Sequence, residues 1–184
     1  QGHIAYPENV KNPIFLSSDL IVQLKNKVWD NGNAIFQPTS FQISNIASGT
    51  GAKNVVPGHL DMVFNFRFST ESTESSLRDE FESILHELNL DYDIDWYLSG
   101  LPYLTTDSTL KDIVVKSIKK ETGIDADKNA KGGTSDGRFI AKMNTEIIEL
   151  GPLNKTIHQI DECVSVKDIE TLKAIYLEVL RELN

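Results

Sequence analysis

The sequence predicts an α+β fold: a β-α-β-β-α-β unit of ferredoxin-like order over residues 1–102, then part of an α/β domain over residues 103–184. Three observations carry this. "HLDMVFNFRF" alternates strictly, with Leu60, Met62, Phe64, Phe66 and Phe68 on one face and Asp61, Val63, Asn65 and Arg67 on the other. Two stretches, about 12–28 and 74–89, repeat apolar residues at helical spacing. Ser99-Gly100-Leu101-Pro102 then interrupts the pattern and marks a boundary.

Taken in order, residues 1–5 read as the end of a first strand, entered midway and without a methionine, as in the carboxy-terminal part of a longer polypeptide. Asn12-Pro13 is a cap followed by proline at the first helical position, and Ile14, Ile21, Leu24 and Val28 form the helix stripe. Asp30-Asn31-Gly32-Asn33 breaks it, Thr39 to Ala47 reads as a strand, and Pro57-Gly58 is a turn before the alternating strand. Leu77, Phe81, Ile84, Leu85 and Leu88 mark the second helix. "DYDIDWYL" alternates again, with Tyr92, Ile94, Trp96 and Leu98 on one face. That order implies one antiparallel sheet with helices on one side, whose open edges call for cover or pairing.

Beyond the boundary, Leu110, Ile113, Val114 and Ile118 mark a helix that Gly123 ends, and a short helix is expected after "GGTSDG". "TEIIEL", 145–150, reads as a short strand. The last helix starts at Ser165, a cap with Asp168 three residues on, and carries Ile169, Leu172, Ile175, Tyr176, Val179, Leu180 and Leu183. One or two strands cannot cover two long helices, so this apolar stripe is expected to be under-covered within the chain.

Composition narrows the function. The chain is 40% hydrophobic and 24% charged, ordinary for a soluble globular protein. Its net charge of -9 gives no basic patch for nucleic acid. No apolar run reaches a membrane span and no signal peptide opens the chain. One cysteine makes no internal disulfide and fits a reducing cytoplasm.

His158, in "GPLNKTIHQIDECV", is a zinc ligand or a plain loop histidine; spacing leaves both readings open. "KGGTSDGRF" is an anion-binding loop or a glycine turn with a helix cap. Arg67, mid-strand beside Asn65, is a carboxylate clamp or a solvated charge. Asn54 after a glycine-rich loop is a turn residue on this evidence alone, and His3 beside Tyr6 a surface histidine. His59 and His86 read as solvated, Cys163 as a small buried hydrophobe, and Asp91, Asp93 and Asp95 as an exposed strand face, since the calcium-loop pattern is absent.

"QGHIAYP", "GTGAKNVVPG", "FNFRFSTE", "WYLSGLPYLT", "GGTSDGRFIA" and "ELGPLNKTIHQIDECVSV" occur in an order that resembles the zinc-dependent amidohydrolase and exopeptidase family, which includes acetylornithine deacetylase, aminoacylase and carboxypeptidase G. The "GTSDGRF" and "GPLNKTIH" blocks resemble its desuccinylase branch. The resemblance implies a cytoplasmic homodimer that hydrolyses N-succinyl-LL-2,6-diaminopimelate, in lysine and diaminopimelate biosynthesis, by a metal-activated water. It implies that residues 1–102 are a dimerisation domain with a truncated first strand, and that 103–184 are the C-terminal part of a catalytic domain. The cofactor implied is two zinc ions per subunit, with cobalt an alternative. His158 corresponds to a zinc ligand. His3 corresponds to an oxyanion donor reaching into the partner's site. Tyr6, Asn54, Arg67, Gly133, Thr134 and Asn154 correspond to positions around the anionic substrate. The remaining ligands and the general base have no counterpart here, so the chain alone is expected to be inactive with its metal site empty. A stand-alone dimerisation or ligand-binding module, and a cousin such as acetylornithine deacetylase, are the alternatives.

Overall fold

The computed structural model of the chain describes residues 1–106, 108–133 and 135–184. Two units divide it, Gln1–Pro102 and Tyr103–Asn184. The first holds β1 (Gly2–His3), α1 (Pro13–Asn26), β2 (Ser40–Ser48), β3 (Val55–Val56), β4 (Leu60–Arg67) and α2 (Glu74–Glu87), with a 3-10 turn at Pro7–Asn9. The second holds α3 (Thr109–Thr122), α4 (Gly137–Ile140) and α5 (Val166–Glu182), with a 3-10 turn at Ala141–Met143.

Local chemistry sets the helix ends. The Asn12 side chain accepts the Ile14 N–H at 3.0 Å, and Pro13 occupies the first turn, where no N–H is needed. The buried side of α1 is Ser17, Leu20 and Leu24. Ile14, expected on that stripe, is exposed, because the face that meets α2 and the sheet is the one carrying Leu20 and Leu24, and Val28, expected there too, is exposed beyond the helix, which ends at Asn26 and not at 28. At α2 the Thr73 and Ser76 side chains cap each other's backbone N–H reciprocally. Gly123 closes α3 in the left-handed conformation, φ 73°, which suits a residue without Cβ, and returns its N–H to Lys119 O at 2.8 Å. Ser165 stands at the cap position of α5, but its hydroxyl does not cap.

β2 and β4 form an antiparallel pair running from Ser40 opposite Arg67 to Ser48 opposite Leu60, with an irregularity between Ile43 and Asn45. The alternation places Phe41, Phe64 and Phe66 on α1 and α2, around a core of Leu20, Leu24, Trp29, Leu77, Phe81, Ile84 and Leu85. Phe64 stacks on Phe81 at 4.5 Å, and Trp29 meets Phe66 edge-on at 4.6 Å.

The single sheet expected of the β-α-β-β-α-β order does not form among the described residues. β1 pairs instead with β3, a two-residue strand that periodicity did not reveal, and makes a separate two-stranded sheet. Residues 91–98 carry no strand ladder. Tyr92, Ile94 and Trp96 still pack on the core, and side chains fasten the segment to α2: Trp96 Nε1–H donates to Glu82 at 2.9 Å, and the Tyr92 hydroxyl lies 3.0 Å from His86 Nε2. His86 therefore has a neighbour that its helix position did not disclose.

One carboxylate gathers the ends of this unit. Asp30 accepts the N–H groups of Gly32 at 2.8 Å and Thr39 at 2.9 Å, and the hydroxyls of Ser69 at 3.1 Å, Ser72 at 2.6 Å and Thr39. Thr39, Ser69 and Ser72 are all buried. Burial raises the carboxyl's pKa, but the bonds from Ser72, Thr39 and Gly32 outweigh it and hold the group well below the usual carboxylate range.

In the second unit α3 packs on α5 through Val114, Ile175 and Val179, with Ile148 and Leu150 against them. The buried Glu178 of α5 bonds Lys120 of α3 and lies 3.6 Å from Arg181. The bond from Lys120 lowers the Glu178 pKa despite burial, and the same bond raises that of Lys120. Ile169, Tyr176, Leu180 and Leu183 stay exposed on α5 and Leu172 is half-buried, so only part of the last helix's stripe is covered. No strand occurs in this unit among the described residues. Residues 145–150 carry no strand ladder, and the neighbour of Ile147 is a side chain: Thr105 Oγ1 accepts the Ile147 N–H at 2.9 Å and donates to its carbonyl at 2.7 Å.

Asp30→Ala removes the acceptor of three buried hydroxyls and is expected to destabilise the first unit by about 2–3 kcal/mol, read by urea unfolding followed through Trp29 fluorescence. Because the folded carboxyl lies below its ordinary value of 3.8, its contribution is complete above that pH and disappears as pH falls below it. The gap between wild type and Asp30→Asn should narrow accordingly between pH 6 and pH 3. Lys120→Met strands the buried Glu178 carboxylate and lowers the thermal midpoint, whereas Lys120→Met combined with Glu178→Leu recovers it. A double variant no more stable than the single one would contradict this.

Candidate functional site

Backbone pairing assembles the first cluster. His3 lies opposite Val55 in the β1–β3 pair, and the Ile4 N–H donates to Asn54 O at 3.1 Å, so residues 2–4 lie beside 54–56. The His3 Nδ1 accepts the Ala5 N–H at 3.1 Å. A nitrogen that accepts carries no proton, so the neutral ring holds its hydrogen on Nε2 and presents a donor there. That Nε2 lies 3.5 Å from the Asn54 Nδ2, itself a donor, so in this tautomer the two are neighbours and not a hydrogen-bonded pair. Tyr6 completes the group: its N–H donates to His3 O at 3.1 Å, and its ring lies 5.8 Å from the imidazole. His3, Tyr6 and Asn54 are all exposed. Three positions separated by up to 51 residues thus meet at one surface.

Arg67 ends β4, on the exposed face that also carries Asn65. It stands opposite Ser40, across the strand from the phenylalanine face.

In the second unit, Gly132 has φ 118°, and among the described residues, chain neighbours aside, no atom lies within 4 Å of a Cβ built on Gly132 or Gly133. Thr134 lies outside the described residues. Asn154 begins a turn, its carbonyl accepting the Ile157 N–H at 3.2 Å, and the turn leads into His158 at φ 59°. The left-handed conformation is uncommon for a residue with a Cβ, and the imidazole is exposed.

Spacing did not reveal what closes this loop. Thr156 Oγ1 accepts the Cys163 N–H at 3.0 Å and donates to the Cys163 carbonyl at 3.0 Å. Cys163, expected as a buried hydrophobe, is exposed, because its backbone rather than its thiol is the structural contact. No sequence signal marks a threonine seven residues before a cysteine as a clasp. Among the described residues no three His, Cys, Asp or Glu side chains converge as a metal-holding group. His158 supplies one imidazole, short of the three or four ligands a zinc ion requires, so the described residues do not by themselves fit the metal. No helix among them is long and apolar enough to cross a membrane.

Thr156→Val should speed amide exchange at Cys163 by about tenfold or more, with Thr156→Ser close to wild type. Hydrogen exchange resolved at Cys163 checks this, and an unchanged rate in Thr156→Val would remove the clasp.

Comparison with known proteins gives a consistent picture. Residues 1–93 match the peptidase dimerisation domain. The chain is 55% identical over 183 residues to the succinyl-diaminopimelate desuccinylase of Pseudomonas syringae pv. syringae, covering 100% of this chain and 48% of that protein. It is 54% identical, with the same coverages, to the protein of that name from Polynucleobacter necessarius subsp. necessarius. The chain thus spans about half the length of the curated relatives it matches. Among solved structures it is similar in fold to an M20 family metallo-carboxypeptidase from Sulfolobus solfataricus, with TM-score 0.75, 15% identity, and 97% of this chain and 54% of that one covered. A tripeptidase from Staphylococcus aureus gives TM-score 0.73 at 20% identity, covering 98% of this chain and 48% of that one.

Proposed function

Because the chain belongs to the peptidase dimerisation domain family, we propose that it is part of a succinyl-diaminopimelate desuccinylase, which hydrolyses N-succinyl-LL-2,6-diaminopimelate to succinate and LL-2,6-diaminopimelate. The observation that carries this is identity above 50% to proteins of that name along the whole of this chain. In this reading residues 1–102 are a dimerisation domain of ferredoxin-like ancestry that brings two copies together as a cytoplasmic homodimer. Residues 103–184 belong to the catalytic domain. His158 is one ligand of a zinc whose other ligands the described residues do not hold.

What these residues do toward the amide follows from their chemistry. As the carbonyl is attacked, negative charge builds on its oxygen, and a preorganised N–H aimed there lowers the barrier. The His3 Nε2–H, fixed as donor by the bond at Nδ1, has that property and acts across the dimer on the partner's substrate. Asn54 and Tyr6 flank the ring. Arg67 offers a guanidinium to a substrate carboxylate. Gly133, Thr134 and Asn154 line the anionic substrate in the second unit.

The 184-residue chain alone is expected to show no turnover, while the full-length protein carrying it hydrolyses the succinyl substrate in preference to N-acetylornithine. His3→Ala in that protein should lower kcat by about 100-fold with a smaller change in KM. If His3 acts in trans, mixing His3→Ala and His158→Ala subunits restores part of the activity, because one site of each mixed dimer receives both intact residues. No recovery on mixing would place His3 in its own subunit's site, and robust turnover by the 184-residue chain would overturn the division of the active site.

A further inference from the structure

The segment that presents His3 leaves β1 after two residues and reverses direction twice. The Tyr6 N–H closes the first turn on His3 O at 3.1 Å, and the Asn9 N–H closes the second on Tyr6 O at 3.0 Å. The bond that fixes the imidazole, from the Ala5 N–H to Nδ1, lies inside the first turn. Residues 3–9 are all exposed. Hydrogen bonds that water can replace contribute little each, so these turns are weak restraints by themselves.

The two ends of the excursion meet. A Cβ built on Gly2 would stand 2.4 Å from Val10 Cγ1, far inside van der Waals contact, so the Val10 side chain occupies the space that a side chain at Gly2 would need. Within residues 1–10, Gly2 and Val10 are half-buried and the rest are exposed. Both are tied to neighbouring elements: Gly2 pairs with Val56 in the β1–β3 ladder, and Val10 stands two residues before the Asn12 cap of α1. Valine suits the place, because its β-branched side chain has few rotamers and keeps a methyl over the glycine.

We propose that Gly2 and Val10 are positioning residues for His3. Val10, seated on the bare backbone of Gly2, closes residues 2–10 into a loop and so holds the first turn, with its Ala5 N–H, in the geometry that leaves the Nε2–H as donor. This rests on the desuccinylase reading, in which His3 donates to the developing oxyanion. Such a donor lowers the barrier only as far as it is aimed before the reaction. Without the contact the turns open, Ala5 leaves Nδ1, and the ring rotates away from its productive direction. The cost falls on the transition state, not on substrate binding.

The test has two arms, both in the full-length protein carrying this chain. The first is hydrogen exchange in peptides covering 2–10, with those covering α1 and α2 as a folding control. Val10→Ala and Gly2→Ala are expected to speed exchange in the loop about fivefold or more with both helices unchanged, while Val10→Ile, which keeps a branched carbon over Gly2, stays near wild type. The second is steady-state hydrolysis of N-succinyl-LL-2,6-diaminopimelate. Val10→Ala and Gly2→Ala should lower kcat about tenfold with KM within about twofold, again with Val10→Ile near wild type. In a His3→Ala background, Val10→Ala should change kcat by less than about twofold, because the residue through which it acts is gone. Unchanged loop exchange in both variants would overturn the closure. Faster exchange with kcat unchanged, or an equal kcat loss with and without His3, would overturn the role toward His3. A full-length wild type without hydrolysis would instead refute the desuccinylase reading, and the exchange arm would still decide the closure.

Discussion

The first unit depends on a single desolvated carboxylate. Asp30 follows α1, Thr39 precedes β2, Ser69 follows β4 and Ser72 precedes α2, and all three hydroxyl residues bond to it. An anion drawn partly out of water needs donors in its place, and here the buried hydroxyls that supply them come from the ends of the elements that pack the core. The polar knot and the aromatic core are complementary. The core fixes which faces meet, and the knot fixes where the chain enters and leaves each element. Slipping β2 by one residue would move Thr39 away from Asp30 as well as turning Phe41 outward.

The features legible in the sequence are those whose partners lie a few residues away. Asn12 with Pro13, the alternation through Phe64 and Phe66, and Gly123 at the end of α3 each declare themselves within one or two turns of chain. The Asp30 knot was not legible, because "DNGN" looks like a plain helix breaker and its decisive partners lie up to 42 residues away. The exposure of Ile14 has the same origin: helical period specifies that a stripe exists, but the neighbouring elements choose which of two adjacent stripes is buried. Residues 91–98 and 145–150 have the apolar content of strands. Whether they join a ladder depends on a partner strand being alongside, which no local pattern records.

The candidate site divides in the same way. His3 beside Asn54 needed a two-residue strand, Val55–Val56, too short to have a period. His158 was conspicuous as the imidazole of its loop, whereas the Thr156 clasp beneath it was not, since a threonine bonded to backbone looks in sequence like any other polar loop residue. Residue type suggests which side chains can do chemistry. The supports that aim them are set by folding and lack a composition of their own.

The clasp has a practical consequence. Cys163 is the single cysteine of the chain, its thiol is exposed, and its backbone is tied on both sides of the peptide to one hydroxyl. A fluorophore or nitroxide attached at that sulfur would therefore sit on a stiff tether five residues from His158, without any other thiol in these residues having to be removed. In the proposed homodimer, distance measurements between two such labels would read how far apart the two imidazoles are held.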